Sequence, residues 1–352
     1  MFRKMLILES FHYKIKAIKE ELSMKIKDIA NELHLSVSTV SKALNGAFDV
    51  SKETKELVLE YAKKHGYKSR DERLAVKSIR RLCVLYDNVN PTSHSNVIIP
   101  LALAFSKYAR QNNFEVVHYP IESIETTYAE FMKQNNFDGS FIVGLNYKSP
   151  FLEELNHTLI PTVLYDNILV GEKIATINNE NINSIAKLVT ILREKGHKKI
   201  GFIHGDRYSF VTNERFAGYI IGQMMNNIEY NPQYVYFGSF SEEAGFEAAK
   251  FFSKTDVTAV ICASDTIAIG LIRGLESVGR RVPQDISVTG YDDLDIAKYV
   301  NPSLTTIKQD LDLIGEKAFS LLMSMMMNRS SQRLVISGEI ILRNSITSIQ
   351  EN

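Results

Sequence analysis

The sequence predicts a small all-α head followed by an α/β body of two doubly wound parallel-sheet lobes. Three observations support this architecture. Apolar residues recur with helical spacing through residues 26–69. From Arg80 onward, short β-branched or aromatic runs alternate with helical patterns, which is typical of parallel sheets wound with helices. The alternation forms two successive series, the second beginning near Ile177, so we expect two lobes.

The composition is that of an ordinary globular chain of more than one domain. Of its 352 residues, 45% are hydrophobic, and no apolar run approaches the ~18 residues of a membrane helix. Cys83 and Cys262 lie in strand-like apolar runs, which predicts reduced core residues in a cytoplasmic protein. No Gly-rich phosphate loop, GxSxG or HExxH pattern occurs, so we expect no enzymatic activity, no cofactor and no metal.

Charge is unevenly distributed, although the formal net charge is +0. Residues 1–81 contain 18 Lys and Arg against 11 Asp and Glu, and the remainder of the chain is correspondingly acidic. A basic head on an acidic body favours a polyanionic partner for the head. A merely lysine-rich surface is the alternative.

Residues 1–23 form a leader before Met24. Its apolar run, MLIL, is short and no small-residue cleavage site follows it, which argues against a signal peptide. The codons of KEELSM can contain a ribosome-binding sequence just before Met24. We therefore hypothesise that Met24 is the natural start and that the leader reflects a misassigned one.

Residues 24–69 predict a helix-turn-helix unit supported by a third helix. IKDIANEL is an apolar-periodic helix that ends near His34, and Ser36 is suited to cap a second helix at Val37–Leu44. The predicted buried stripe of the second helix consists of Val37, Val40 and Leu44. A third helix follows, with Ser51 suited to its N-cap and Gly66 to its C-terminus.

The body is expected to span residues 80–350. We expect lobe 1 at about 80–175 and 308–332, and lobe 2 at about 176–307 and 333–350. Binding sites in such folds lie outside the carboxyl ends of the strands, so we expect a ligand site there. The methionine run at 323–327 indicates helix packing rather than a metal or cofactor site.

Together these segments resemble the lactose/galactose-repressor (LacI/GalR) family of bacterial transcription factors. IKDIANELHLSVSTVSKALNG and VSKETKELVLEYAKKHGY are similar to the family's DNA-binding head. The segments that resemble the family's effector-binding body are KKIGFI, NERFAGY, FSEEAGFEAA, VPQDISVTGYDDLDIAKYVNPSLTTIKQDL and EIILRNS. The resemblance implies a cytoplasmic, homodimeric repressor that binds an inverted-repeat DNA operator. It also implies a small-molecule effector, a sugar, bound between two lobes similar to those of periplasmic binding proteins.

The resemblance implies that the second helix lies in the DNA major groove, where small side chains permit close approach to the bases. The implied base contacts are Val37, Ser38 and Lys42. For Val37, an apolar contact to a thymine methyl and packing beneath the helix start are equal alternatives. The implied phosphate contacts are Lys25, Thr39, Ser41, Asn45, Ser51 and Thr54.

Two features depart from the family pattern. His34 stands where the family commonly has glycine, at a position expected to need a positive φ. The expected hinge, residues 70–79, lacks the usual proline, and Val76 occupies the position of the residue that wedges into the minor groove. Leu74 is a second candidate for the wedge.

The resemblance also implies an effector site. The implied residues are Ser95, Asn96, Asp166, Arg215, Phe240, Ser264 and Asp292. Arg215 matches the family's principal ligand-gripping arginine. Asp292 matches a ligand-contacting aspartate, with a loop cap as the alternative, and Phe240 matches a ring-stacking aromatic, with a core residue as the alternative.

A neutral, hydroxyl-rich sugar suits one stacking aromatic with two acids better than a purine does. Ser209 and Val211 stand where a purine-binding relative has polar and charged contacts. The rival function is that of a small-molecule binding protein whose DNA-binding head has degenerated. The atypical hinge supports this rival, and the intact apolar frame and caps of residues 26–66 oppose it.

Overall fold

A computed structural model describes residues 26–44, 50–65, 67, 80–86, 95–169, 171–327 and 331–349. The chain divides into two units, residues 1–79 and 80–352. The predictions that lie outside the described residues concern the leader, Lys25, Asn45, Gly66 and the hinge with Leu74 and Val76. Among the described helices, none is long and apolar enough to cross a membrane.

The first unit, the head, contains three described helices: α1 (Ile26–Glu32), α2 (Val37–Leu44) and α3 (Lys52–Lys64). Both predicted caps are confirmed. Ser36 Oγ accepts a hydrogen bond from the Thr39 backbone N–H at 3.1 Å, and Ser51 Oγ accepts one from Thr54 at 3.2 Å. His34 has a φ of 51°, which confirms the left-handed turn between α1 and α2.

The predicted buried stripe of α2 is wrong at Val37. The core of the head consists of Ile29, Ala30, Val40, Ala43, Val58, Ala62 and Tyr67. Val37 is 44% exposed, and Ala43 takes its place beside Val40 in the core. Helical periodicity identifies a face, but it does not show how far along that face the neighbouring helices reach. Val37 is the first residue of α2, where they do not cover it.

The second unit, the body, alternates strands and helices as predicted. Its described strands are β1 (Arg80–Tyr86), β2 (Phe114–Pro120), β3 (Gly139–Val143), β4 (Thr162–Tyr165), β5 (Ile174–Asn179), β6 (Ile200–His204), β7 (Val235–Phe237), β8 (Ala259–Cys262), β9 (Ser287–Thr289), β10 (Thr306–Lys308), β11 (Arg333–Ile336) and β12 (Glu339–Ile341). Its described helices are α4 (Ser95–Gln111), α5 (Tyr128–Gln134), α6 (Phe151–Asn156), α7 (Asn181–Glu194), α8 (Phe210–Met225), α9 (Glu242–Phe252), α10 (Asp265–Ser277) and α11 (Leu311–Met326).

Lobe 1 is built on a six-stranded parallel sheet in the order β11-β5-β4-β3-β1-β2. The lobe boundaries differ from those expected, because β5 extends to Asn179 and β11 pairs with it in parallel. Residues 176–179 and 333–336 therefore belong to lobe 1. The alternation of strands and helices does not show which sheet a strand joins, since its pairing partner is distant in the sequence.

Lobe 2 is built on a four-stranded parallel sheet in the order β7-β6-β8-β9. The short antiparallel pair of β10 and β12 adjoins it through a bridge between Thr289 and Thr305. The chain passes between the lobes after β5, after β10 and between β11 and β12. These passages give each lobe its own buried core while keeping the two lobes covalently joined.

The predicted core positions of the two cysteines and the predicted helical position of the methionine run are confirmed. Cys83 and Cys262 are free and fully buried, and burial raises the pKa of both thiols. The methionine run lies at the end of α11, where Met325 is buried in the lobe 1 core. Both cysteines and Met325 are therefore core packing residues, whereas Met327 is 70% exposed.

Candidate functional site

A cavity of about 100 Å³ lies between the two lobes of the body. Its polar lining comes from segments that follow parallel strands. Asn146 and Asp166 follow β3 and β4 in lobe 1, and Asp206, Ser264 and Asp292 follow β6, β8 and β9 in lobe 2. The cavity therefore lies at the carboxyl ends of the strands, where the sequence predicts a ligand site.

The structure brings most of the predicted effector residues together. The predicted residues that line the cavity are Asp166, Arg215, Phe240, Ser264 and Asp292. Ser95 and Asn96 begin α4, but their side chains lie outside the described residues. Val97 and Ile98, which follow them on the same helix, line the cavity.

Arg215 is fixed at the cavity wall by several contacts and is only 3% exposed. Its Nε donates to Asn181 Oδ1 at 3.0 Å, and its Nη1 donates to the Ala263 carbonyl at 2.6 Å. The guanidinium carbon lies 3.5 Å from the centroid of the Tyr291 ring, a cation–π contact. Its Nη2 is 3.8 Å from Asp292 Oδ1, so a buried cation and a buried anion face the same space.

Asp292 and Asp293 point to different partners. Asp292 has a φ of 119°, and its carboxylate accepts a hydrogen bond from the Gln309 side-chain amide. Asp293 Oδ1 accepts from Arg343 Nη2 at 2.6 Å. Asp292 therefore belongs to the cavity, whereas Asp293 is paired with an arginine of the chain that follows β12.

A hydrogen-bonded chain joins carboxylates of the two lobes. Gln309 Oε1 accepts from Tyr165 Oη at 2.6 Å and from Asn179 Nδ2 at 2.6 Å, while its amide nitrogen donates to Asp292. Asn179 in turn donates its backbone N–H to Asp166 Oδ1 at 2.8 Å. The path from Asp292 through Gln309 and Asn179 to Asp166 thus crosses from lobe 2 to lobe 1.

The sequence analysis missed Gln309, Asn179 and Tyr165. The available signal was the position of polar residues at strand ends, in NNEN at 178–181 and QD at 309–310. Such runs mark where a strand leaves a buried sheet and reaches a site. The family resemblance implies roles only for positions that match the family's ligand-binding residues, and these three residues are not among them.

Burial makes the acids of the cavity hard to ionise. It raises the pKa of Asp166 to about 6, opposed by the Asn179 backbone hydrogen bond and by Arg215. Burial likewise raises the pKa of Asp292 to about 6, opposed by Arg215 and Gln309. The pKa of Asp265, behind Asp292, is raised well above its ordinary value by burial and by the Asp292 charge. A ligand that donates hydrogen bonds therefore stabilises the charged forms of the two lining carboxylates.

Phe240 and Ser264 each serve the fold as well as the cavity wall. Phe240 belongs to the lobe 2 core, and a Cβ atom on Gly205 would lie 2.5 Å from Phe240 Cζ. Only glycine at 205 allows this close approach. Ser264 Oγ accepts from the Ile267 N–H at 3.3 Å and so caps α10. For Phe240, the core alternative and a position at the cavity both hold.

The head presents its predicted base-contacting residues to solvent. Val37, Ser38 and Lys42 are all exposed on α2, opposite the buried Val40 and Ala43. The packing alternative for Val37 is therefore wrong, and its methyl groups are available to a partner.

Among the predicted phosphate contacts, several hydroxyls take part in the two helix caps. Thr39 Oγ1 lies 2.8 Å from Ser36 Oγ, and Thr54 Oγ1 lies 3.0 Å from Ser51 Oγ. Ser41 is half-buried on α2. The caps place these hydroxyls at the N-termini of α2 and α3, where backbone N–H groups favour anions.

Family comparisons match both units. The family of bacterial regulatory proteins, lacI family, matches residues 25–69, and a periplasmic binding protein-like domain matches residues 189–346. The HTH-type transcriptional repressor CytR of Escherichia coli (strain K12) is 28% identical over 351 residues, covering 95% of this chain and 100% of CytR. The HTH-type transcriptional regulator CelR of Thermobifida fusca is 27% identical, covering 87% of this chain and 94% of CelR. The repressor PurR of Pasteurella multocida (strain Pm70) is 27% identical, with coverages of 88% and 95%.

Solved structures show the same fold. A transcriptional regulator CelR–cellobiose complex superposes with a TM-score of 0.67 at 24% identity, covering 92% of this chain and 99% of that chain. The lac repressor dimer bound to operator and the anti-inducer ONPF superposes with a TM-score of 0.66 at 23% identity, with coverages of 93% and 100%. The relatives are transcriptional regulators and not enzymes. The chain therefore combines a helix-turn-helix domain of the lacI family with a periplasmic binding protein-like domain, and it is similar over nearly its whole length to bacterial transcriptional regulators.

Proposed function

We propose that the protein is a repressor whose affinity for its operator is controlled by a sugar bound in the cavity between the lobes. The observation that carries this proposal is the placement of Arg215 and Asp292 from lobe 2 opposite Asp166 from lobe 1 in one cavity. A ligand that contacts both lobes binds their two relative arrangements with different affinity. That difference in affinity is what an effector needs to shift the protein between two states.

The lining suits a hydroxyl-rich ligand. Sugar hydroxyls donate to the carboxylates of Asp166 and Asp292 and accept from the Arg215 guanidinium. Phe240 supplies an apolar face for a pyranose or furanose ring. Ser209 and Val211, which replace the polar and charged contacts of a purine-binding relative, also line the cavity and favour a sugar over a purine. The structurally similar CelR binds cellobiose, which agrees with this ligand class.

The head is proposed to read DNA through α2. Val37, Ser38 and Lys42 contact bases, with Lys42 donating to guanine acceptors and Val37 touching a thymine methyl. The proposed phosphate contacts are Lys25, Thr39, Ser41, Asn45, Ser51 and Thr54. Val76 or Leu74 is the proposed minor-groove wedge. A homodimer places two heads on the half-sites of an inverted repeat.

A binding protein with a degenerate DNA-binding head is less well supported. A head that no longer bound DNA would not need to keep its helix caps and its core. Ser36 and Ser51 nevertheless cap their helices, and Val40 is fully buried. A repressor should select one DNA sequence from a random pool, whereas a binding protein with a degenerate head should not.

The first experiment is selection of binding sites from random duplex DNA with the full chain at a stated salt concentration. We expect a single inverted repeat bound well above random DNA. Lack of enrichment, with intact folding by circular dichroism, would contradict the repressor proposal.

A thermal-shift panel tests the ligand class, because a ligand that binds only the folded protein raises the melting temperature. Ribose and cellobiose are compared with adenine and guanine. Stabilisation by sugars is expected, and stabilisation by nucleobases alone would refute a sugar effector.

A further inference from the structure

The described lining of the cavity is not balanced in charge. Its acidic side chains are Asp166 from lobe 1 and Asp206 and Asp292 from lobe 2, and Arg215 is the only lysine or arginine among the described lining residues. Arg215 Nη2 faces Asp292 at 3.8 Å. Asp166 and Asp206 are therefore two carboxylates for which the described lining holds no paired cation, and we call them the acid pair.

The hydrogen-bond donors that hold the acid pair are neutral. Asp166 accepts from the Asn179 backbone N–H at 2.8 Å and from the Asn179 side-chain amide at 3.3 Å. Asp206 Oδ1 accepts from the Tyr208 N–H at 2.8 Å. His204, two residues before Asp206, adds no charge at neutral pH because burial lowers its pKa. These contacts orient the two carboxylates without cancelling their charge.

The other charged side chains near the cavity are engaged elsewhere. Lys148 Nζ lies 3.7 Å from the centroid of the Tyr208 ring, and the Arg207 guanidinium carbon lies 5.6 Å from the same centroid. Neither cation belongs to the cavity lining. Arg333 and Glu214 form an ion pair at 3.5 Å, so together they contribute no net charge.

A carboxylate that is withdrawn from water without a paired cation is costly, and a ligand can remove this cost. The cost is visible at Asp166, because burial raises its pKa to about 6 although Arg215 opposes the shift. A sugar hydroxyl donates one hydrogen bond and brings no charge. An ammonium group brings three donors and a positive charge, and its hydrogen bonds to carboxylates are about twice as strong as neutral ones.

We propose that the effector is an amino sugar, whose hydroxyls contact Arg215 and Asp292 and whose protonated amine is bound by the acid pair. This inference rests on the proposed sugar site between the lobes and narrows its ligand class. It also gives a role to Asp206, which the family resemblance does not include among the effector contacts. Because the acid pair has one member in each lobe, the ammonium group contacts both lobes.

The test compares matched sugars on the full-length protein at about pH 6.5, above the pKa of about 6 of Asp166. Glucosamine, galactosamine and mannosamine are each compared with the neutral parent sugar and with the N-acetyl derivative, in which the amine is blocked. Thermal shift identifies the sugars that bind, and isothermal titration calorimetry then gives their Kd. We expect an amino sugar to bind about ten- to a hundredfold more tightly than its neutral partners.

Three variants assign the preference to the acid pair. Asp166→Asn and Asp206→Asn keep an oxygen that accepts the existing backbone hydrogen bonds but remove the charge. Each should lower the ratio of amino-sugar to neutral-sugar affinity about tenfold. Asp256→Asn is the matched control, because Asp256 lies in lobe 2 outside the cavity lining, pairs with Lys199 and has a side chain that is 60% exposed. It should leave the ratio unchanged.

The outcomes separate this inference from the proposed function. Neutral sugars that bind as tightly as the amino sugars would overturn the amino-sugar inference and leave the sugar effector standing. If no sugar in the panel raised the melting temperature, the amino sugar and the sugar effector would both be contradicted. A preference that persisted in both Asp166→Asn and Asp206→Asn, or that fell equally in Asp256→Asn, would overturn the role of the acid pair.

Discussion

The head and the cleft place their candidate functional side chains in opposite environments. In the head, Val37, Ser38 and Lys42 come from a single eight-residue helix and are exposed. In the cleft, Asp166, Arg215 and their neighbours come from distant segments and are buried. An exposed site is replaceable without disturbing the fold, whereas a buried charged site couples binding to stability and to pH.

The largest expected effect tests the burial of Arg215. Arg215→Met keeps the apolar stem but leaves Asp292 without its cation. We expect the free energy of unfolding to fall by about 3–5 kcal/mol at pH 7.5, and the effector response to disappear while operator binding remains. Urea unfolding measures the first effect, and operator titration with and without effector measures the second.

Arg333→Met is the control for Arg215. Arg333 pairs with Glu214 at 3.5 Å, but its side chain is 51% exposed, so we expect a loss of about 0–1 kcal/mol. If Arg215→Met and Arg333→Met lowered the free energy of unfolding equally, burial would not explain the cost of removing Arg215.

The second prediction concerns pH. The pKa of Asp166 is raised from 3.8 to about 6 by burial, so the folded state holds a proton that the unfolded state releases. Stability therefore falls as pH rises through this window. Asp166→Asn should remove this dependence and stabilise the protein by about 2–3 kcal/mol at pH 7.5, with no gain near pH 4. Urea unfolding at several pH values measures the difference.

Asp285 provides a control of opposite sign. Arg281 lowers its pKa from 3.8 to about 2, so its contribution to stability is present above pH 3.8 and is lost as pH falls towards 2. Asp285→Asn should therefore destabilise the protein at neutral pH. If Asp166→Asn and Asp285→Asn both stabilised the protein, the gain at Asp166 could not be assigned to its burial and raised pKa.

The third prediction tests the exposed site. Lys42→Ala should weaken binding to the selected operator by about 1–3 kcal/mol, because a lost base contact costs that much, and leave the melting temperature unchanged. Lys64→Ala, at the end of α3, is the control and should affect specific binding little. Equal losses on operator and random DNA would make Lys42 a phosphate contact.

The smallest effect compares two valines of α2. Val37→Ala should change the free energy of unfolding by no more than about 0.5 kcal/mol, because the side chain is 44% exposed. Val40→Ala, three residues away and fully buried, should cost about 2 kcal/mol through lost burial and a cavity. Chemical unfolding of both variants measures the contribution of each valine to packing. Operator binding by Val37→Ala then measures its contribution to DNA recognition. Equal destabilisation would restore the packing role of Val37.

The sequence predicted the features that depend on neighbours along the chain. These are the caps at Ser36 and Ser51, the positive φ at His34, and the alternation of strands and helices. The resemblance located Arg215 and Asp292, which the structure places in one cavity. The sequence did not predict that Val37 is exposed, that β11 joins the lobe 1 sheet, or that Gln309 bridges the lobes.

By itself, then, the sequence determined the classes of the two units, because periodicity and capping act within one turn or one strand. Only the tertiary structure decided the lobe boundaries and the hydrogen-bonded chain from Asp292 to Asp166. Both depend on which distant segments meet: β11 pairs with β5, more than 150 residues away, and Gln309 reaches Asn179 across 130 positions. No local pattern encodes such a meeting, since parallel pairing and side-chain hydrogen bonds form only after the chain has folded back.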